Sequence, residues 1–160
     1  MPVTRAESPA PLTGSPAPDF ELRDQHGQWV SLSSYRGRAS VLLVFYPFAF
    51  SGVCSGELAG LRDHWADVAP EHAQLLAISC DPVYALRAFA ELDKLNFPLL
   101  SDFWPHGQAS TAYGAFDAER GCSARSSFVI DRDGVLRWQV HNALPDARDL
   151  AEYAQVLGAL

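Results

Sequence analysis

Val41-Leu-Leu-Val-Phe45 is an unbroken apolar run of one strand's length, a pattern that suits a strand buried on both faces. From Glu57 onward the period changes. Leu58, Leu61, Trp65 and Val68 recur at three and four residues, which predicts a helix with one buried face, ended by Pro70. Leu75-Leu-Ala-Ile-Ser79 reads as a second short strand. Leu86, Phe89, Ala90, Leu92 and Leu95 mark a second helix, and Phe97-Pro-Leu-Leu100 a third strand. Strands alternating with helices in this way imply parallel pairing through crossovers. Two further pairs of runs read as antiparallel hairpins. Phe20-Glu-Leu-Arg23 and Trp29-Val-Ser-Leu32 flank Asp24-Gln-His-Gly27, and Ser126–Ile130 and Val135–Val140 flank Asp131-Arg-Asp-Gly134. A short helix is expected near 107–113 and a final one near 146–158. Five prolines and little periodicity in the first 18 residues predict a flexible arm over 1–13, with a single domain over 14–160.

Composition narrows the function classes. A chain of 160 residues with 48% hydrophobic and 19% charged residues is long and apolar enough for one domain with a real core. The net charge of −7 with Lys94 as the single lysine argues against a nucleic-acid partner, which needs clustered cations for phosphate. Small-molecule or protein partners fit better. No segment has the length of a membrane span, and Met-Pro-Val-Thr-Arg-Ala-Glu lacks the apolar core of a secretory signal, so a cytoplasmic location is expected. Three cysteines, at 54, 80 and 122, are too few and too scattered for a disulfide framework and point to free thiols in a reducing compartment. The five histidines and three cysteines lack zinc-ligand spacing, and there is no glycine-rich nucleotide motif, so neither metal nor cofactor is expected.

The chemistry concentrates at Pro47-Phe-Ala-Phe-Ser51-Gly-Val-Cys54, between the first buried strand and the first helix. A thiol in a first helical turn faces unpaired N–H groups and the positive end of the helix dipole, which favour the thiolate, a nucleophile. Ser51 stands three residues before Cys54, where an N-cap hydroxyl accepts from the N–H of the third helical residue. The same hydroxyl would lie beside the sulfur. Pro47 stops the strand and fixes φ where the chain leaves it. An inert buried cysteine is the commoner fate of this residue type, and its position at a helix start after a proline turn argues against that fate here. The order βαβα followed by ββα, with a thiol after the first parallel strand, is the layout of an α/β thioredoxin-like fold: a central mixed sheet flanked by helices, with an N-terminal β-hairpin.

The motif Pro-x-x-x-Ser/Thr-x-x-Cys at this junction resembles the active-site signature of the peroxiredoxins. Ala17-Pro-Asp-Phe20, Leu42-Leu-Val-Phe-Tyr-Pro47, Glu57-Leu58, Leu99-Leu-Ser-Asp102 and Ser127-Phe-Val-Ile-Asp131 resemble landmarks of that family in order, covering roughly residues 14–158. Phe50-Ser-Gly-Val-Cys54, Leu61-Arg-Asp-His64 and Leu100-Ser-Asp-Phe-Trp-Pro-His-Gly107 are similar to the one-cysteine alkyl hydroperoxide reductase E group of actinobacteria. The resemblance implies a thiol-dependent peroxidase in which Cys54 attacks a peroxide oxygen and becomes a sulfenic acid. It also implies that Ser51 and the N–H groups of Val53 and Cys54 hold the peroxide while Pro47 shields the site. Arg125 matches the family's arginine opposite the thiolate, and Glu57 its glutamate, which would orient Arg125. On pattern alone Arg125 is a surface charge at a strand start and Glu57 a solvated first-turn carboxylate.

The reductant is left open. Residues 141–160 contain no cysteine and position 59 is Ala59, so two family positions for a resolving cysteine are empty. Cys80 and Cys122 are either bystanders or internal resolving thiols. As bystanders they leave the sulfenic acid to a low-molecular-weight thiol or to a thioredoxin- or mycoredoxin-like partner, as the resemblance implies. A disulfide oxidoreductase of the same fold would carry Cys-x-x-Cys, but Ser51 and Glu57 occupy the two positions three residues from Cys54. A redox sensor or chaperone oxidised at Cys54 without turnover is the competing reading. A homodimer or larger homo-oligomer is the family's expectation.

Overall fold

The computed structural model describes residues 9–141 and 150–160. An antiparallel hairpin of β1 (Glu21–Arg23) and β2 (Trp29–Ser31) comes first, its turn held by Asp24 Oδ1, which accepts from the N–H groups of His26 and Gln28. After a 3-10 turn, β3 (Ser40–Phe45) runs through the centre and leads to α1 (Gly52–Val68). Next come β4 (Ala73–Ser79), α2 (Val83–Asp93), β5 (Leu99–Ser101) and the short α3 (Gln108–Ala112). A second, two-residue hairpin of β6 (Phe116–Asp117) and β7 (Cys122–Ser123) precedes the hairpin of β8 (Ser126–Ile130) and β9 (Leu136–His141), and α4 (Leu150–Gly158) closes the chain.

The sheet has the order β2-β1-β5-β4-β3-β8-β9. Pairing is parallel for β3 with β4 and β4 with β5, and antiparallel for β3 with β8, which makes the sheet mixed as the element order predicts. All six residues of β3 are buried, because alternate side chains enter two different cores. Leu42 and Val44 join Leu58, Leu61, Phe89 and Leu157 on the face covered by α1, α2 and α4. Val41, Leu43 and Phe45 join Ile78, Tyr113 and Phe128 on the other. This is the thioredoxin-like arrangement of a mixed sheet between helical layers.

Local departures from the sequence pattern have simple causes. The third strand begins at Leu99 rather than Phe97, since Pro98 has no N–H for the ladder and contributes only its carbonyl, to Ala77 N–H at 3.1 Å. The β6–β7 hairpin is two residues per strand, too short to show a period. Residues 146–149 of the expected final helix, and residues 1–8 of the expected arm, lie outside the described residues. Within 9–13, the Pro11 carbonyl and Thr13 hydroxyl accept from Gln139 Nε2 at 2.8 and 3.1 Å.

Candidate active site

The C-terminal edge of the parallel strands gathers the chemistry. Strand β3 continues for one residue past its last ladder pair, Tyr46 N–H donating to the Ile78 carbonyl at 3.0 Å, and then Pro47 stops it. The chain turns into α1 within four residues. Phe50 makes that turn possible in the left-handed region at φ +67°, where a bulky residue is rarely found, and its ring packs on Phe89 at 5.2 Å between centroids. Ser51 is the N-cap, extended at φ −70° and ψ 143°, and its hydroxyl accepts from the Cys54 N–H at 3.4 Å.

Cys54 is therefore the third residue of α1, as its spacing from Ser51 predicts. It is a free thiol, 1% exposed, built into the core face that contains Tyr46, Leu58 and Phe89. Arg125 reaches it from the residue before β8, with Nη2 donating toward Sγ at 3.8 Å. Behind the guanidinium, Glu57 Oε1 lies 2.9 Å from Arg125 Nε, with the two side chains 3% and 10% exposed respectively. Two charges this far from water hold their places only as a pair. Glu57 holds the guanidinium through Nε while Nη2 faces sulfur, where a fixed positive charge favours negative charge. The surface reading of Arg125 and the solvated reading of Glu57 do not describe this protein: each was a statement about isolated residues, and the fold brings them together across 68 positions.

Pro47 is half-buried at the head of the same loop. The mouth of the site carries Phe48, Phe50 and Val53, all partly exposed, with Arg120 stacked over the Phe48 ring at 5.6 Å.

The other two thiols have different surroundings. Cys80, just past β4, lies 3.5 Å from the Ser123 hydroxyl, which contacts Ser110 Oγ at 2.7 Å, and Ser110 Oγ donates to Asp102 Oδ2 at 2.8 Å. Burial pushes the Cys80 thiol up, with Ser123 opposing, and pushes Cys122 up to about 11. Burial also raises Asp102, against the hydrogen bonds it accepts from Ser110 and Ala109. His106, in the loop after β5, spans two segments. Its Nδ1 meets the Phe103 carbonyl at 2.9 Å and its Nε2 the Gly121 carbonyl at 2.7 Å.

Asp81 is a further residue that the pattern did not single out. Its Oδ2 accepts from Ala49 N–H and from Ser79 Oγ, both at 2.8 Å. A carboxylate at the same sheet edge as the thiol, directly before Pro82, was the available signal.

Comparison with known proteins agrees with this geometry. Residues 13–139 match the AhpC/TSA family. The chain is 46% identical over 147 residues to alkyl hydroperoxide reductase E of Mycobacterium tuberculosis, covering 92% of this chain and 96% of that protein. It is 35% identical to a putative peroxiredoxin in the rubredoxin operon of Clostridium pasteurianum, covering 92% and 88%. Among solved structures, Enterococcus faecalis AhpC superimposes with a TM-score of 0.83 at 27% identity, covering 92% of this chain and 91% of that one. A reduced Plasmodium vivax 2-Cys peroxiredoxin does so with a TM-score of 0.82 at 26% identity, covering 92% and 94%. With a buried thiol at a capped helix start, an arginine turned toward it and relatives of this kind along nearly its whole length, the chain belongs to the AhpC/TSA family, as a peroxiredoxin and thiol-dependent peroxidase.

Proposed function

We propose that this peroxiredoxin works by a one-cysteine cycle, with Cys54 as the sole thiol of the chain that changes oxidation state and, as reductant, an external thiol that is oxidised in turn. The observation that carries the reading is the contact of Arg125 with Cys54 Sγ, backed by Glu57. In the first step the Cys54 thiolate attacks one peroxide oxygen, a sulfur–oxygen bond forms, the oxygen–oxygen bond breaks, and hydroxide or alkoxide leaves with the electron pair. Arg125 and the N–H groups at the start of α1 stabilise the charge that passes from sulfur to the leaving oxygen. Ser51 and Pro47 act from the same loop, the first by capping the helix and bonding the peroxide, the second by keeping water from the sulfur.

A low-molecular-weight thiol or a thioredoxin- or mycoredoxin-like protein then attacks the sulfenic sulfur. Water leaves, a mixed disulfide forms, and a second thiol releases Cys54. What supports an external reductant is the state of the two remaining cysteines. Attack requires a thiolate, and burial keeps both Cys80 and Cys122 protonated. The 46% identity to alkyl hydroperoxide reductase E is consistent with this cycle. The three free thiols also fit a reducing, cytoplasmic setting, and a homodimer is the assembly we propose.

Intact mass after one equivalent of hydrogen peroxide tests the cycle. A gain of one oxygen that requires Cys54 is expected, and a loss of two hydrogens would replace the external reductant by Cys80 or Cys122.

A further inference from the structure

The turn from β3 into α1 is short, and Phe50 holds a backbone conformation that its own side chain disfavours. Such a turn keeps its shape only if its surroundings over-determine it. Ring packing on Phe89 supplies one constraint. Another is Asp81, which comes from the turn after β4.

A single oxygen, Asp81 Oδ2, accepts both the Ala49 N–H and the Ser79 hydroxyl, each at 2.8 Å. Asp81 is fastened in turn at its backbone, its N–H lying 3.4 Å from Ser79 Oγ and its carbonyl accepting from Ser101 Oγ at 2.7 Å. The carboxylate is thus anchored to the ends of both β4 and β5. Ala49 is the midpoint of the loop from Pro47 to Ser51, and it packs against the core cluster that contains Cys54. Tyr46, directly before the loop, is fully buried beside the Ser79 hydroxyl, Asp81 and Cys54, and burial pushes its phenol well above its ordinary value. One carboxylate therefore ties the loop carrying Pro47, Phe50 and Ser51 to the rigid sheet edge.

We propose that Asp81 is a positioning residue for peroxide reduction: by holding the Ala49 N–H it fixes the Pro47–Ser51 loop against the Cys54 thiol. It acts through that loop and does not touch the reacting atoms. The inference rests on the peroxidase reading of Cys54, and the test separates the two.

Two rates are measured for Cys54, each localised by mass spectrometry: oxidation by hydrogen peroxide, which needs an oriented site, and alkylation by iodoacetamide, which does not. Asp81→Ala is expected to slow oxidation by about 10–100-fold, as misplacement of a reacting group does, while alkylation stays level or rises as the loop loosens. Asp81→Asn presents a carbonyl oxygen where Oδ2 sits and keeps both contacts, so it is expected to restore oxidation. Unchanged rates in Asp81→Ala overturn the proposal, and so does a proportional fall in both, or an Asn variant as slow as the Ala variant. Where Asp81→Ala does not fold, Ser79→Ala carries the test, with a smaller loss of the same kind expected. Wild-type rates for both reagents in that variant overturn the proposal. A wild-type protein that peroxide oxidises no faster than a free thiol sinks the peroxidase reading alone. In that case a rise in alkylation in Asp81→Ala, reversed in Asp81→Asn, still supports the loop anchor.

Discussion

Cys54 and Cys80 stand at the same edge of the sheet, past the ends of adjacent parallel strands, and both are buried, at 1% and 6% exposure. Burial therefore does not distinguish them. The sign of the neighbouring groups does. Around Cys54 every named polar contact is a donor or a charge favourable to an anion: the helix start, and the Arg125 guanidinium held by Glu57. Around Cys80 the chain of contacts ends in a carboxylate. Ser110 has one hydroxyl hydrogen and gives it to Asp102, so Ser123 must donate to Ser110, and Cys80 must donate to Ser123. One thiol faces donors and a cation; the other points its hydrogen along a chain that ends in a carboxylate, and burial pushes that thiol up.

The largest effects belong to the first surrounding. Cys54→Ser is expected to abolish peroxide consumption, measured as hydrogen peroxide loss with a thiol reductant, whereas Cys80→Ser leaves it unchanged. Equal losses in the two variants would erase the distinction between the sites. Next in size, Arg125→Ala is expected to slow Cys54 oxidation by about 100–1,000-fold, the usual loss when one donor to a developing oxyanion is removed. Arg125→Lys should recover only part of this, because one compact ammonium lacks the fixed planar geometry in which Nε meets Glu57 while Nη2 faces sulfur. Full rescue by lysine would mean that charge alone matters and the fork does not.

Glu57 tests what holds the fork. Removing it leaves a guanidinium 10% exposed with its carboxylate gone, a loss typically of about 3–5 kcal/mol for a buried pair. Glu57→Ala is accordingly expected to lower the midpoint of urea unfolding and to slow Cys54 oxidation by less than Arg125→Ala does. An unaltered midpoint would show that Arg125 is held by other contacts.

How much of this was legible in sequence follows from the range of each interaction. The strand at 40–45, the helix that starts with its Ser51 cap and both long hairpins are read from periods and turn residues, which are local. Cys54 and Ser51 are three residues apart on one helical turn, so their relation is local as well. Arg125 and Glu57 as partners are not: pattern alone makes each an ordinary surface charge, and only family resemblance put them together. Asp81 meets Ala49 from 32 positions away, and Ser123 meets Cys80 from 43. Those contacts exist because β4 lies beside β3 and the β6–β7 hairpin folds back over the sheet edge, and a two-residue strand leaves no periodic trace.

The smallest predicted effect sharpens the comparison from the other side. Burial pushes Cys122 up from its ordinary value near 9 to about 11, and raises Cys80 as well. In the folded protein these two thiols stay neutral at pH 7, so neither should be alkylated before the chain unfolds. The sign for stability follows from proton counting. Between about pH 9 and 11 the unfolded chain has released the Cys122 proton while the folded chain still holds it, so proton binding favours the fold. That contribution is fully present below pH 9 and is lost as the pH rises through 11. A Cys122→Ala variant should therefore lose less stability than the wild type across this window, by at most about 1.4 kcal/mol per pH unit for one proton. Parallel urea-unfolding midpoints of the two proteins from pH 9 to 11 would place Cys122 in an environment no different from that of an exposed thiol.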